Sequence, residues 1–208
     1  MPVTPFDHQD FDSFLIPGLE PRMSAIIDHV RPKLNQLGEV IQPFLSTITG
    51  EPMYPHVAKH ARRTINPPND TWVAWSNNKR GYKAHPHYQV GMFSSHVFIL
   101  FAVIYESDNK ANLARYLKSK KKEIMTYIPD HYVWSMDHMQ PQANRHDSLK
   151  PNDFSRMADQ LVQVKKSELL CGIHLDKDDP TLSDASKLQQ TIEDTFSTLV
   201  PLYRNAFL

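Results

Sequence analysis

The chain has one cysteine, Cys171, in 208 residues, so no internal disulfide can form. Its place in the apolar run 169–175 makes it a small buried hydrophobe rather than a nucleophile. A glycine-rich phosphate loop is also missing: Gly81 and Gly91 stand alone and fit turns or a bulge. The longest apolar run, Val97 to Tyr105, falls far short of the roughly 20 residues of a spanning helix, and the N-terminus lacks a basic region followed by an apolar core. A cytosolic protein with no membrane partner is expected. No period of 20 to 50 residues recurs, which argues against solenoids and propellers. No helix-turn-helix, zinc-finger, RRM or KH pattern is present, and the formal net charge is zero, so nucleic acid is not the favoured partner.

What is present is ordinary globular composition, with 40% hydrophobic and 22% charged residues. The length suits one well-buried core, and a single domain over residues 1–208 is expected. Helical periodicity begins at Gly18 and runs through Ile27, Val30, Leu34, Leu37, Ile41, Phe44 and Ile48. Pro32 and Pro43 should kink that helix and Gly50 should stop it. Residues 54–65 fit either a short helix or an edge strand, and in both cases His56 and His60, four apart, share a face.

Strand composition marks 71–75, and SNNKRG (76–81) reads as a hairpin tip. The returning segment 82–90 alternates, with Tyr82, Ala84, Pro86, Tyr88 and Val90 directed one way and Lys83, His85, His87 and Gln89 the other. Residues 96–106 are apolar on both faces, as a covered central strand is. Leu113, Leu117, Ile124 and Ile128 mark a helix that carries Lys118, Lys120, Lys121 and Lys122, a run that reads as a solvated face. A strand at 131–136, a long polar connection 137–150, a helix through Phe154, Met157, Leu161 and Val164, and a strand at 169–175 follow. The last helix has Leu188, Ile192, Phe196, Leu199 and Tyr203 on its core face. Without regular βαβ alternation the fold class is α+β, a mixed and largely antiparallel sheet packed with several helices.

The segment His56 to Gly91 concentrates charge of one sign. It holds Lys59, Arg62, Arg63, Lys79, Arg80 and Lys83 against a single acid, Asp70, in a chain of 23 basic and 23 acidic residues. His56, His60, His85 and His87 lie in the same stretch. The H-x-H spacing of His85 and His87 suits a metal, but the cations around them and the missing third ligand argue against one, so the protein is expected to carry neither metal nor cofactor. Arg62, Arg63, Lys79, Arg80 and Lys83 beside His56, His60, His85 and His87 suit a phosphate-bearing or other anionic ligand instead. A histidine used as general acid or base on an anionic substrate is the second reading, and a structural or protein-interaction role the third. His131 and His138 read as solvated histidines.

The stretches GLEPRM (18–23), HVAKHARRTINPPNDTWVAW (56–75), KRGYKAHPHYQVGMF (79–93) and FAVIYE (101–106) resemble the YktB-like family of cytosolic bacterial proteins, nearly end to end. The resemblance implies a single α+β domain. It implies no activity and assigns no catalytic residue.

Overall fold

The computed structural model describes residues 2–208. Seven strands form one sheet: β1 (Tyr54–Val57), β2 (Asp70–Ser76), β3 (His87–Phe93), β4 (His96–Val103), β5 (Val133–Ser135), β6 (Asn144–Arg145) and β7 (Leu169–Asp176). Their order is β1-β2-β3-β4-β7-β5-β6 and each neighbouring pair is antiparallel. The fold is α+β around an antiparallel sheet, as the sequence pattern implies.

The helices are α1 (His8–Asp12), α2 (Leu19–Ala25), α3 (Arg31–Thr49), α4 (Lys110–Tyr127), α5 (Pro151–Gln163) and α6 (Ala185–Asn205). A π turn, Ile26–Val30, joins α2 to α3. Pro32 has no N–H and its ring would strike the carbonyl one turn earlier, and the wider π turn relieves both faults. The insertion also rotates the helix face. Ile26 is buried in place of Ile27, which is 43% exposed, and the apolar stripe resumes at Val30, Leu34, Leu37 and Ile41. Gly50 ends α3 at φ 82°, a left-handed cap that glycine adopts at little cost.

One face of the sheet carries Val73, Trp75, Tyr88, Val90, Ile99, Phe101, Leu169 and Cys171, all buried with the helices in the main core. Trp75 donates its indole N–H to the Gly38 carbonyl at 2.9 Å. Gly38 permits that approach, because a Cβ there would lie 3.0 Å from Pro55 and 3.3 Å from Val73. On α6, Leu188, Ile192, Phe196, Leu199 and Tyr203 are buried as their spacing implies, and Asp184 caps the helix by accepting from the Ser186 and Lys187 amides.

The opposite face is smaller and mixed. Phe93, Phe98, Leu100, Ala102, Ile104, Val133 and Leu170 form a second apolar cluster with Trp72 against it. Gly91 makes that packing possible: a Cβ there would lie 2.4 Å from both the Phe98 ring and the Thr71 carbonyl oxygen. Gly91→Ala is therefore expected to cost about 1 to 3 kcal/mol through overpacking. Urea unfolding measures it, and a midpoint equal to wild type would show that the ring and strand shift freely.

Two local expectations are corrected. The strand begins at His87, not Tyr82, because Pro86 cannot donate to a ladder and residues 82–85 close a turn in which the His85 N–H bonds the Tyr82 carbonyl at 2.9 Å. Lys83 and His85 therefore leave the row, while His87 and Gln89 keep it. Tyr82 does not face inward with Tyr88; its ring lies over His87, centroids 4.8 Å apart. Likewise β1 stops at Val57, and His60 sits beyond it at φ 53°, so His56 and His60 do not share a strand face. The lysine run on α4 is tied down locally, with Lys118 paired to Asp159, Lys120 to Glu123, and Lys121 bonded to Ser155.

Candidate functional site

The mixed face bears the polar groups. The indole N–H of Trp72 donates to the Tyr82 hydroxyl at 3.0 Å, and the Trp72 ring is edge-on to His60 at 5.7 Å and to His138 at 6.1 Å. Burial pushes the Tyr82 phenol up to about 12. On one side of Trp72 lies a basic recess of about 310 Å³ lined by Lys59, His60, Arg62, Arg63, Tyr82 and Lys83. On the other lies a small, partly enclosed cavity of about 20 Å³, walled by Asp70, Gln89, Asp137, His138 and His174.

The recess gathers part of the residue set that the sequence singles out. His60, Arg62, Arg63 and Lys83 line it. His56, Arg80, Lys83 and His85 line an adjoining recess of about 480 Å³ that shares Tyr82 and Lys83 with the first. Lys79 is exposed and lines neither recess. His87 is fully buried beneath Tyr82. Its Nδ1 donates to the His85 carbonyl at 2.8 Å, which leaves Nε2 to accept from Gln89 at 3.0 Å. Burial lowers its pKa to about 3, so it stays neutral; it lines neither recess and instead supports the Tyr82 ring from below. His60 is held near 4 by burial and by Arg63 and Arg31. Near pH 7 the positive charge of the recess therefore comes from its lysines and arginines.

Lys83 meets Glu106 at 3.4 Å, a long contact between half-exposed groups. Among the described residues Arg63 reaches only the Asn66 and Pro67 carbonyls, at 3.4 and 3.5 Å. Both cations can exchange these partners for a better acceptor.

The second constellation escapes sequence reasoning. Strands β5 and β7 pair antiparallel with Ser135 opposite Leu170, and continuing that register brings Asp137 and His138 beside Glu168. Glu168 Oε2 accepts from the His138 amide at 2.9 Å and from its Nδ1 at 2.6 Å, while Oε1 accepts from the Tyr105 amide at 3.3 Å. Burial acts to lower the His138 pKa, but Glu168 with help from Asp70 and Asp137 outweighs it and raises the value. His138 is thus a paired, largely buried group, not a solvated one. Asp70, only 1% exposed, has both carboxylate oxygens without a hydrogen-bond partner among the described residues. Burial pushes its pKa up to about 6.

The match to known proteins spans the whole of this arrangement. A family model described as a domain of unknown function, DUF1054, matches residues 6–203. The chain belongs to the DUF1054 family. A UPF0637 protein of Bacillus velezensis is 48% identical over 198 residues, covering 95% of this chain and 94% of that protein. A UPF0637 protein of Bacillus cytotoxicus is 46% identical over 203 residues, covering 98% of each. The DUF1054 match contains every residue of the basic recess and of the His138 cluster. Among the described residues no helix is long and apolar enough to cross a membrane.

Proposed function

We propose that this DUF1054 protein binds a phosphate-bearing or otherwise anionic small molecule in the basic recess beside Trp72, within the cytosol. The observation that carries the reading is the meeting of Lys59, Arg62, Arg63 and Lys83 around the Trp72 and Tyr82 rings in one recess of about 310 Å³. Cations at a concave, partly desolvated surface hold an anion more strongly than the same charges spread over a convex one, and arginine offers phosphate two parallel donors. The aromatic rings supply an apolar or stacking surface beside those donors. The lysines of α4 lack this arrangement, since three of the four already have partners.

Titration with inorganic pyrophosphate and with a nucleoside diphosphate tests the reading, and tryptophan fluorescence can follow it. Trp75 and Trp134 are fully buried, whereas Trp72 is half-buried at the recess, so quenching reports on Trp72. Arg63→Ala or Lys83→Ala is expected to weaken binding by about 1 to 3 kcal/mol, the loss of a charge-assisted hydrogen bond. Lys121→Ala should change it by only a few tenths of a kcal/mol. Equal losses in all three variants, all vanishing at high salt, would mean diffuse attraction and no pocket.

A further inference from the structure

Apart from the basic recess, the mixed face holds a surplus of negative charge that the fold does not compensate. Asp70, Asp137 and Glu168 stand around one imidazole, His138. Asp137, His138 and Glu168 each present a donor atom, and these atoms lie within 4.8 Å of one another. Two further observations point to a ligand. The Asp70 carboxylate, 1% exposed, has both oxygens unpartnered among the described residues and borders the same partly enclosed cavity as Asp137 and His138. That cavity, about 20 Å³, has room for a single water-sized body.

We propose that Asp137, His138 and Glu168 bind a first-row divalent cation, with the buried Asp70 carboxylate facing it across the inner cavity through one bridging water. The donor set decides the class of ion. One imidazole with carboxylates suits the Mn²⁺ to Zn²⁺ series, whereas Ca²⁺ needs six to eight oxygens and Mg²⁺ has little use for an imidazole. Donors bound at about 2.0 to 2.2 Å from one ion sit roughly 3.3 Å apart, so the His138 Nδ1–Glu168 Oε2 pair, now at 2.6 Å, must open slightly while the Asp137 carboxylate draws in. Asp137 is exposed; its Oδ1 accepts from the Met139 amide at 2.9 Å, and rotation that gives up this bond or presents Oδ2 supplies that movement. The ion takes the place of the proton that His138 Nδ1 shares with Glu168, and the Tyr105 and His138 amides continue to hold that carboxylate. An outer cleft of about 660 Å³, lined by Asp137, His138 and Glu168, gives the ion its path from solvent.

This site uses different residues from the anion recess, and either can fail without the other. The test is equilibrium dialysis of chelator-treated, full-length protein against MnCl2, ZnCl2 or MgCl2, with elemental analysis and thermal melts. We expect about one Mn²⁺ or Zn²⁺ per chain, no retained Mg²⁺, and a melting temperature raised by about 5 to 10 °C at a hundredfold excess over Kd. Asp137→Asn, at an exposed position, should weaken retention at least tenfold with the fold intact, and His138→Gln should abolish it. Asp70→Asn should melt higher than wild type without metal, because it removes an unpaired buried charge, yet gain less from the ion. His29→Gln and His131→Gln, both at exposed positions outside either site, serve as surface controls and should behave as wild type. No retained ion, retention unaffected by Asp137→Asn, an ion response in Asp70→Asn equal to wild type, or loss only in the surface controls would overturn the proposal.

Discussion

Acidification is expected to unfold this protein between about pH 5 and 4, before its carboxylates are fully protonated. Four histidines have pKa values lowered chiefly by burial: His60 and His96 to about 4, His87 and His174 to about 3. A histidine whose folded pKa lies below its unfolded value binds its proton preferentially in the unfolded chain. Its folded state therefore loses stability as pH falls below 6.5, and the loss continues down to the folded pKa. At pH 4.5 each of the four contributes a loss of about 2.5 kcal/mol, or about 10 kcal/mol together. Asp70 works in the opposite sense: its folded pKa of about 6 exceeds the ordinary 3.8, so folding gains from its protonation below pH 6. That gain is only about 2 kcal/mol at pH 4.5. The balance is comparable to the whole stability of an ordinary domain, about 5 to 15 kcal/mol. Geometry supports the burial, since the His96 and His174 rings stack 4.0 Å apart and His96 Nε2 is buried without a partner among the described residues. Far-UV circular dichroism and tryptophan fluorescence against pH give the measurement. A native spectrum at pH 3.5 would mean that these rings reach water and charge in place.

The same groups show where sequence reading succeeds and where it stops. Local pattern identifies β4, the core face of α6 and the stop at Gly50: burial writes the first as a continuous apolar run and the second as a helical stripe, and the left-handed cap calls for glycine at the third. The phase slip at Ile26 is harder to see, since a π turn adds a residue without changing composition. The start of β3 fails for a related reason: alternation continues through 82–86, but Pro86 and the 82–85 turn remove the ladder that alternation presupposes. Part of the basic recess is legible, because Arg62, Arg63 and Lys83 belong to one charged stretch. Its division from His56, Arg80 and His85 depends on how the loop folds back.

The His138 cluster is illegible for a different reason. His138 and Glu168 are 30 positions apart and meet only through the register of β5 with β7. Asp70 did carry a signal: a lone acid leading directly into the strand sequence Thr71–Trp75, where burial is the rule. Counted as charge alone it is one acid among six cations, whereas counted by position it is a buried carboxylate that needs a partner.

Glu168→Ala is expected to cost about 3 to 5 kcal/mol near pH 6, the penalty for leaving one member of a buried ion pair without the other. The Glu168 side chain is 3% exposed, and its loss leaves the Tyr105 and His138 amides without their acceptor as well as stranding the imidazole. Those amides hold the 137–140 turn and the end of β4, so the damage falls on the wall of the His138 cavity and not only on one contact. The cost should depend on pH in a direction that identifies its cause. The folded pKa of His138 is raised, so the pair's contribution is fully present below the unfolded value of 6.5 and is lost as pH rises through the folded value. Above that value a neutral imidazole still donates from Nδ1, and the backbone amides still need Glu168, so a smaller cost remains. Urea unfolding of wild type, Glu168→Ala, His138→Ala and the double variant at pH 6 and pH 9 isolates the coupling between the two side chains. A coupling below about 0.5 kcal/mol at pH 6, in the range of exposed pairs, would mean that water screens the contact. A coupling that grows toward pH 9 would mean that Glu168 recognises the neutral ring, and the charged pair would have to be abandoned.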